Sequence, residues 1–114
     1  MNEMMTQKIE MLLDKIAEDY ANWCQRAKIT NKTQEEFREG LGYIVGNKYI
    51  KVTENGNQMR VWGFVVNTEN DKKFKFGDIL MAAGWKAPAR NHARGNVIEE
   101  EFGAVQWTSP AYMR

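Results

Sequence analysis

The chain has 114 residues, of which 43% are hydrophobic and 27% are charged, as expected for one folded domain with its own core and not for a disordered chain. Sixteen lysines and arginines balance fifteen acids, which argues against a generally basic nucleic-acid-binding protein and leaves room only for a local basic site. The single cysteine, Cys24, excludes an internal disulfide and a cysteine-rich zinc site. No apolar run approaches the ~20 residues that span a bilayer, and the charged start is unlike a signal peptide, so we expect a cytoplasmic protein.

The first predicted element is a long amphipathic helix from Met5 to Ala27, because apolar residues recur there at steps of three and four. At 1.5 Å per residue it would be about 35 Å long, more than a small sheet can cover. Its apolar stripe either packs wholly on the chain's own core or pairs in part with a second subunit of a homo-oligomer. We therefore divide the single domain, 1–114, into this helix, 1–28, and a core, 33–114. The stripe contains Met5, Ile9, Leu12, Leu13, Ile16, Tyr20, Trp23, Cys24 and Ala27.

A second, shorter helix is predicted to begin after Thr33. Thr33 and Glu36 have the spacing of a capping box, in which each side chain accepts a hydrogen bond from the other residue's backbone N–H. We expect the helix to end near Gly42 after two or three turns. Its apolar side would consist of Phe37, Leu41 and Ile44.

Beyond Gly46 the apolar period changes from helical to alternating and predicts strands over Lys48–Thr53 and Gln58–Val66. Asn55 and Gly56 between them favour a type I′ hairpin turn. The second strand is apolar on both faces, so we expect it at the centre of the sheet, with the helices on one side and another segment on the other.

Three further elements are predicted towards the end of the chain. Lys73–Phe76 alternates as a strand, and Asp78 can cap a short helix over Ile79–Ala83. Alternatively, Gly77 and Asp78 turn the chain into another strand, as in small barrels. Ala104–Thr108 reads as a last strand. The fold class predicted is α+β, two N-terminal helices followed by a small, mostly antiparallel sheet or partial barrel.

The chemistry of the chain is concentrated in the segment from Gly84 to Asn96, GWKAPARNHARGN, which lies between two apolar blocks. An extended backbone would show one basic and one small-residue face. A helix beginning near Pro88 would instead align Arg90 and Arg94, which are four residues apart. Both conformations bring the positive charges together.

Such a segment is suited to an anionic ligand, because guanidinium groups and backbone amides are directed donors without competing acceptors. Neighbouring tryptophans can stack on a base, which favours a nucleotide over bare phosphate. Under this hypothesis the two arginines clamp phosphate, Lys86 adds charge, the asparagines read polar edges, and Trp85 or Trp107 stacks. The alternative is structural: the arginine stems pack on the core and pair with local acids, and the tryptophans are core residues. The predicted ligand-binding residues are Trp85, Lys86, Arg90, Asn91, His92, Arg94, Asn96 and Trp107.

We predict neither catalytic residues nor metal ligands nor a cofactor. His92 and Cys24 are the chain's only histidine and cysteine, and Cys24 falls on the buried stripe of a helix, where a thiol is normally inert. The acidic run Glu99–Glu101 is either a solvated loop or a segment that folds back on Arg90 or Arg94 and holds the site shut.

The segments Lys73–Ile98 and Trp107–Tyr112 resemble small uncharacterised accessory proteins of tailed phages, including marine phages. The resemblance implies a non-enzymatic role in host takeover or counter-defence. By analogy with oligomeric sponges, it suggests sequestration of a cyclic-nucleotide immune signal in the cytoplasm of the infected cell.

Two other functions remain open at this point. One is a protein-interaction module whose first helix and acidic run bind and inhibit a host protein. The other is a small RNA- or single-stranded-DNA-binding protein, whose affinity would fall steeply with salt. No membrane partner is expected.

Overall fold

The computed structural model describes residues 2–29, 32–55 and 58–110, which form two helices and then an open four-stranded antiparallel sheet. Helix α1 spans Glu3–Ala27, close to the prediction, and the side chain of Asn2 caps its start. The stripe from Met5 to Cys24 is buried within this single chain, with exposed fractions between 0 and 8% except at Trp23. These residues therefore pack on the chain's own core, whereas Trp23 is half-buried and Ala27, the last residue of the predicted stripe, is exposed.

Helix α2 is shorter than predicted. It spans Gln34–Glu39 and begins with the expected capping box between Thr33 and Glu36. The prediction that it continues to near Gly42 was wrong, because strand β1, Leu41–Val45, starts directly after Gly40. Residues Leu41 and Ile44 continue the helical spacing from Phe37, but the pairing of β1 with the next strand outweighs that local pattern.

The sheet has the order β1–β2–β3–β4, with every neighbouring pair antiparallel. Strand β2 spans Tyr49–Asn55, β3 spans Met59–Val66 and β4 spans Ile79–Met81. The hairpin of β2 and β3 is confirmed by the pairing of Asn55 with Met59, and the predicted turn at Gly56 lies outside the described residues. Strand β3 is internal, as predicted from its apolar character.

A bulge in β3 directs its aromatic residues to opposite sides. Val52 pairs with Gly63 and Thr53 with Val61, so Trp62 is the extra residue. Trp62 therefore packs with the helices, whereas Phe64, two residues later, belongs to a second apolar cluster on the other face. We call the face away from the helices the outer face. Across the four strands it is defined by the register row Ile44, Lys51, Phe64 and Leu80.

The predicted strand at Lys73–Phe76 was wrong, because these residues form turns. Oδ1 of Asp71 accepts hydrogen bonds from the backbone N–H groups of Lys73 and Phe74, at 2.8 and 3.0 Å, and this local bonding replaces a ladder. Phe74 from this turn covers the second apolar cluster. The sequence predicts an unspecified segment on the far side of β3, and the turn that contains Phe74 lies there.

The predicted helix over Ile79–Ala83 was also wrong, and the alternative of a turn into another strand, β4, is the one observed. Asp78 does cap a local structure: its Oδ2 accepts a hydrogen bond from the backbone N–H of Lys75, at 2.9 Å. Gly77, with a φ of 91°, makes the turn that leads into the strand.

The predicted strand over Ala104–Thr108 was wrong as well. Side chains hold this stretch in place of a ladder: the indole Nε1 of Trp62 donates to the carbonyl of Gln106, at 2.7 Å, and the backbone N–H of Trp107 donates to Asp19 of α1, at 2.9 Å. In the part of the chain that the structure describes, no helix is long and apolar enough to cross a membrane.

Candidate anion-binding face

The segment from Gly84 to Asn96 takes an irregular path beside β4, without the alternative helix from Pro88. Ala82 forms a bridge with Pro88, so the residues between them make a tight hairpin. The backbone N–H groups of Ala89 and Arg94 then donate to the carbonyls of Met81 and Ile79, both at 2.7 Å. The segment therefore covers the edge of the sheet at β4 and directs its hairpin over the outer face.

Trp85 lies at the tip of this hairpin and remains 45% exposed. The ammonium of Lys51, on β2, is 4.2 Å from the centroid of its ring, a cation–π contact that joins the hairpin to the sheet. The ammonium of Lys51 thus covers one side of the indole, and nearly half of the surface of Trp85 remains accessible to a ligand.

Arg90 is held over the same face by a different set of contacts. Its two terminal nitrogens donate to the two carboxylate oxygens of Asp71, each at 2.9 Å, and one of them also donates to the hydroxyl of Tyr49. The guanidinium lies 5.0 Å from the ring centroid of Phe74. Its side chain is 42% exposed, whereas that of Asp71 is only 9% exposed. The arginine is positioned, but it already has a carboxylate partner.

This pairing perturbs both groups. The guanidinium of Arg90, helped by the two backbone donors, holds the pKa of Asp71 well below its usual range. Asp71, with a smaller contribution from Tyr49, raises the pKa of Arg90 further above neutrality. Both side chains are therefore ionised at neutral pH.

The ring and the guanidinium lie over neighbouring positions of one strand. Tyr49 and Lys51 are two residues apart on β2 and point to the same face, so about 7 Å separates them along the strand. Tyr49 contacts Arg90 and Lys51 contacts Trp85. The spacing of these two strand residues is close to the distance between the base and the phosphate of a nucleotide.

A cleft of about 300 Å³ opens beside Arg90. Two further cations, Lys48 and Lys72, line it, and both residues are exposed. Asp71 supplies the acid in this lining and is already paired, so the cleft has an excess of positive charge. Its lining residues are Lys48, Thr68, Asn70, Asp71, Lys72 and Arg90.

The other predicted site residues in the segment separate into two groups. Lys86 and His92 are exposed, near Trp85 and Arg90 in sequence. Arg94 is 3% exposed, and its Nη1 donates to the side chain of Asn91, at 2.8 Å, and to the carbonyl of His92, at 2.6 Å. These contacts hold the segment together and leave Arg94 buried.

Asn96 and Trp107 lie away from Trp85. Asn96 is 3% exposed, and its amide donates to Asp78 and to the carbonyl of Phe76, at 2.9 and 3.0 Å. Trp107 belongs to the helix side, where its ring lies 5.3 Å from Tyr20 and 5.0 Å from Trp23. We leave both out of the candidate site.

Two residues of the acidic run form ion pairs with lysines. Glu99 pairs with Lys75 at 3.4 Å and Glu100 with Lys8 of α1 at 2.6 Å, whereas Arg90 pairs with Asp71. For Glu99 and Glu100, these contacts do not support the part of the hypothesis in which the run closes over Arg90; closure over Arg94 stays a prediction. A hydrogen bond between the carboxyl groups of Glu99 and Glu101 lowers the pKa of Glu99 and raises that of Glu101.

The helix side also has clefts, among them one of about 430 Å³ lined by Lys28 and Lys32. Another, about 580 Å³, lies between α1 and α2 and is lined by Asp14 and Glu35 as well as Arg38. Arg38 is already bound to Asp14 and Glu10, at 2.7 and 2.5 Å. This cleft has no excess of cations and is a poorer site for an anion than the outer face.

Sequence reasoning missed Tyr49 and Lys51 on β2 and Asp71 in the turn after β3, together with the cleft cations Lys48 and Lys72. The stretch Lys48–Lys51 contains a usable signal, because Tyr49 and Lys51 alternate with buried Ile50 and must share the exposed face. The contact between Asp71 and Arg90 spans 19 residues and has no comparable local signal.

Comparison with known proteins identifies a family. The sequence profile of a family of unknown function (DUF7717) matches residues 1–111, and the chain belongs to that family. No curated protein and no solved structure matches the chain.

Proposed function

Because the family has no assigned activity, we propose that the chain is a non-enzymatic nucleotide-binding protein and that the outer face is its binding site. A base would stack on Trp85, and the phosphate would lie near Arg90 in the cleft lined by Lys48 and Lys72. Lys86 would add charge from the hairpin tip. The preferred ligand is a nucleotide or a cyclic-nucleotide signal.

The observation that carries this proposal is the placement of Trp85 and Arg90 over Lys51 and Tyr49, about 7 Å apart along β2. An exposed indole alone is ordinary on a protein surface. Here the exposed indole of Trp85 can stack on a base, and the guanidinium of Arg90 with the exposed Lys48 and Lys72 can bind a phosphate. The part of the sequence that supplies the face is also basic, since residues 48–96 contain nine lysines and arginines against four acids in a chain of nearly zero net charge.

Binding without turnover is part of the proposal. Cys24 packs in the core on α1, whereas His92 lies in the segment that covers the opposite side of the sheet. The two side chains therefore lack the contact that a nucleophile and its base require. We further propose that the biological role is sequestration of the ligand in the cytoplasm of an infected cell. Its support is the resemblance of Lys73–Ile98 to phage accessory proteins.

Isothermal titration calorimetry with inorganic phosphate, mononucleotides, and cyclic di- and trinucleotides tests the proposal. We expect at least one nucleotide to bind more tightly than phosphate, and Arg90→Ala to weaken that binding by about tenfold, as for loss of a charge-assisted contact. Lys15→Ala is the matched control, because it removes one exposed positive charge from α1 on the other side of the molecule.

The proposal fails if none of these ligands binds, or if Arg90→Ala and Lys15→Ala bind as the wild type does. Arg94 is unsuitable for this test because its burial makes a truncation destabilising for reasons unrelated to the ligand.

The same face could take single-stranded RNA or DNA, and salt separates the two cases. A strand that neutralises several phosphates loses affinity steeply with salt, with a slope of about 0.7 per contact, whereas a mononucleotide shows a shallow dependence. The alternative of a host-protein inhibitor needs a test other than removal of residues 1–28, because that deletion also removes buried core residues of α1.

A further inference from the structure

Strand β1 forms one end of the sheet, and among the described residues its outer edge is open. The opposite end, β4, is covered by the segment after Pro88, which donates to the carbonyls of Met81 and Ile79. In the described part of the chain, by contrast, no strand pairs with the outer side of β1. Exposed edges are normally protected by charged side chains, proline or bulges, but β1 reads LGYIV and has none of these.

The hydrogen bonds at the ends of β1 show which of its backbone groups bond to β2 and which point away from it. The carbonyl of Gly40 accepts from Asn55, and the N–H of Gly46 donates to Tyr49, so the even-numbered residues face β2. Backbone groups alternate along an antiparallel strand, and those of Leu41, Tyr43 and Val45 therefore point outwards. They form a row of donors and acceptors that can bind another strand.

The geometry points to a second copy of this chain as the partner, and we propose that two copies pair through antiparallel β1 strands about a two-fold axis at Tyr43. This register uses all five strand residues and brings the three outward-facing positions of each copy together. It places Leu41 opposite Val45 of the partner subunit, and the reverse. The two sheets would then join into one of eight strands.

The side chains fit this register on both faces. Ile44, 51% exposed on the outer face, would lie opposite Gly42 of the partner subunit, which has no side chain to meet it. These are positions where opposed residues approach most closely, about 4.5 Å between Cα atoms. On the helix side, Val45, 47% exposed, would lie opposite the partner's Leu41, which is 7% exposed in the single chain. The clearer complementarity is therefore that of Ile44 and Gly42 on the outer face.

The ends of the strand are compatible with the same register. Where the chain turns at Gly40 into α2, the facing residue would be Gly46 of the partner subunit. Neither has a side chain that could clash there. The interface uses β1 and leaves Trp85 and Arg90 outside it, so the dimer and the proposed ligand site are separate inferences.

Sedimentation equilibrium from low to high micromolar concentration tests the dimer. We expect the wild type to be dimeric and Val45→Pro to be monomeric, because proline removes an outward N–H without removing a bond to β2. Val45→Thr is the matched control: it keeps the N–H and should remain dimeric. Circular dichroism confirms that each variant is folded.

A swap of residue sizes tests the register independently of proline. Gly42→Ile should raise the dissociation constant of the dimer at least tenfold, because the introduced isoleucine would face Ile44 of the partner subunit. In the monomer the added Cβ would have only an ordinary contact, 3.5 Å from the hydroxyl of Thr53. The double variant Gly42→Ile/Ile44→Gly restores a large residue opposite a glycine and should restore dimerisation. A monomeric wild type, or a double variant no more dimeric than Gly42→Ile, overturns the proposal.

Discussion

At the scale of single residues, Asp71 determines how available Arg90 is. Its carboxylate orients the guanidinium over the outer face, and it also occupies the donors that a phosphate would use. Its Oδ1 has a second role in holding the turn through the N–H groups of Lys73 and Phe74. These two roles can be separated, because only the first depends on the negative charge.

Asp71→Asn should strengthen nucleotide binding by roughly fivefold, because it removes the negative charge that competes with the phosphate for Arg90. The asparagine oxygen can still accept from Lys73 and Phe74, so the turn is retained. Calorimetry on wild type and variant checks this. Weaker binding by the variant would mean that the carboxylate positions Arg90 more than it competes with the ligand.

The same pair predicts a pH dependence of stability. The pKa of Asp71 is lower in the folded than in the unfolded chain, where it is about 3.9, so the pair's contribution is present above that value. It is lost as the pH falls through the lower, folded pKa. Urea unfolding should therefore give a higher free energy of unfolding for the wild type than for Asp71→Asn near neutral pH, and this difference should shrink in acid. A difference that is unchanged or larger in acid contradicts a stabilising ion pair between Asp71 and Arg90.

At the scale of elements, the path of the Pro88–Asn96 segment depends on Gly95. This residue has a φ of 138°, and a Cβ there would lie 2.2 Å from the carbonyl oxygen of Glu101. A side chain there would have to displace the backbone of Glu101, whose N–H and carbonyl are both hydrogen-bonded to the backbone of Asn96. The segment that places Arg90 is thus fixed by a glycine several residues away.

Gly95→Ala should lower the free energy of unfolding by more than about 2 kcal/mol, from backbone strain together with the steric contact. Gly84→Ala is the matched control in the preceding hairpin, because a Cβ there meets nothing within 4 Å. Denaturant unfolding measures both. Equal stability of the two variants would contradict the described path of the segment.

Local sequence signals predicted some elements well and failed where pairing between distant residues decides the structure. The spacing of the α1 stripe and the capping box at Thr33 are local, and both predictions were confirmed. Leu41 continues the helical spacing of Phe37 and yet begins a strand, because β2 provides a partner for it. Lys73–Phe76 alternates like a strand but makes a turn around Asp71.

The candidate site shows the same division. Trp85, Lys86 and Arg90 could be proposed from the sequence because they lie together in one basic segment. Arg94 has the same residue type and four-residue spacing, but it is buried, and no local pattern distinguishes it from Arg90. The bulge at Trp62, which sends neighbouring aromatic residues to opposite faces, also depends on pairing with β2.

At the scale of the whole molecule, the sheet separates two chemically different sides. The helix side contains the larger apolar cluster, with the aromatic contacts among Tyr20, Trp23, Phe37 and Trp107. The outer face has the smaller cluster, covered by the turn at Phe74 and by the basic segment. If β1 pairs as proposed, the β2 strands of two copies lie three strand spacings apart, about 14 Å. Both ligand sites would then lie on one continuous outer face.

The most direct test of the central claim uses the four tryptophan indoles, at Trp23, Trp62, Trp85 and Trp107, as reporters in one NMR titration. With a cyclic dinucleotide as the ligand, the account predicts that the Nε1–H signal of Trp85 shifts most and saturates, while that of buried Trp62 is unchanged. Shifts at Trp23 and Trp107 with none at Trp85 would place binding on the helix side and contradict the account.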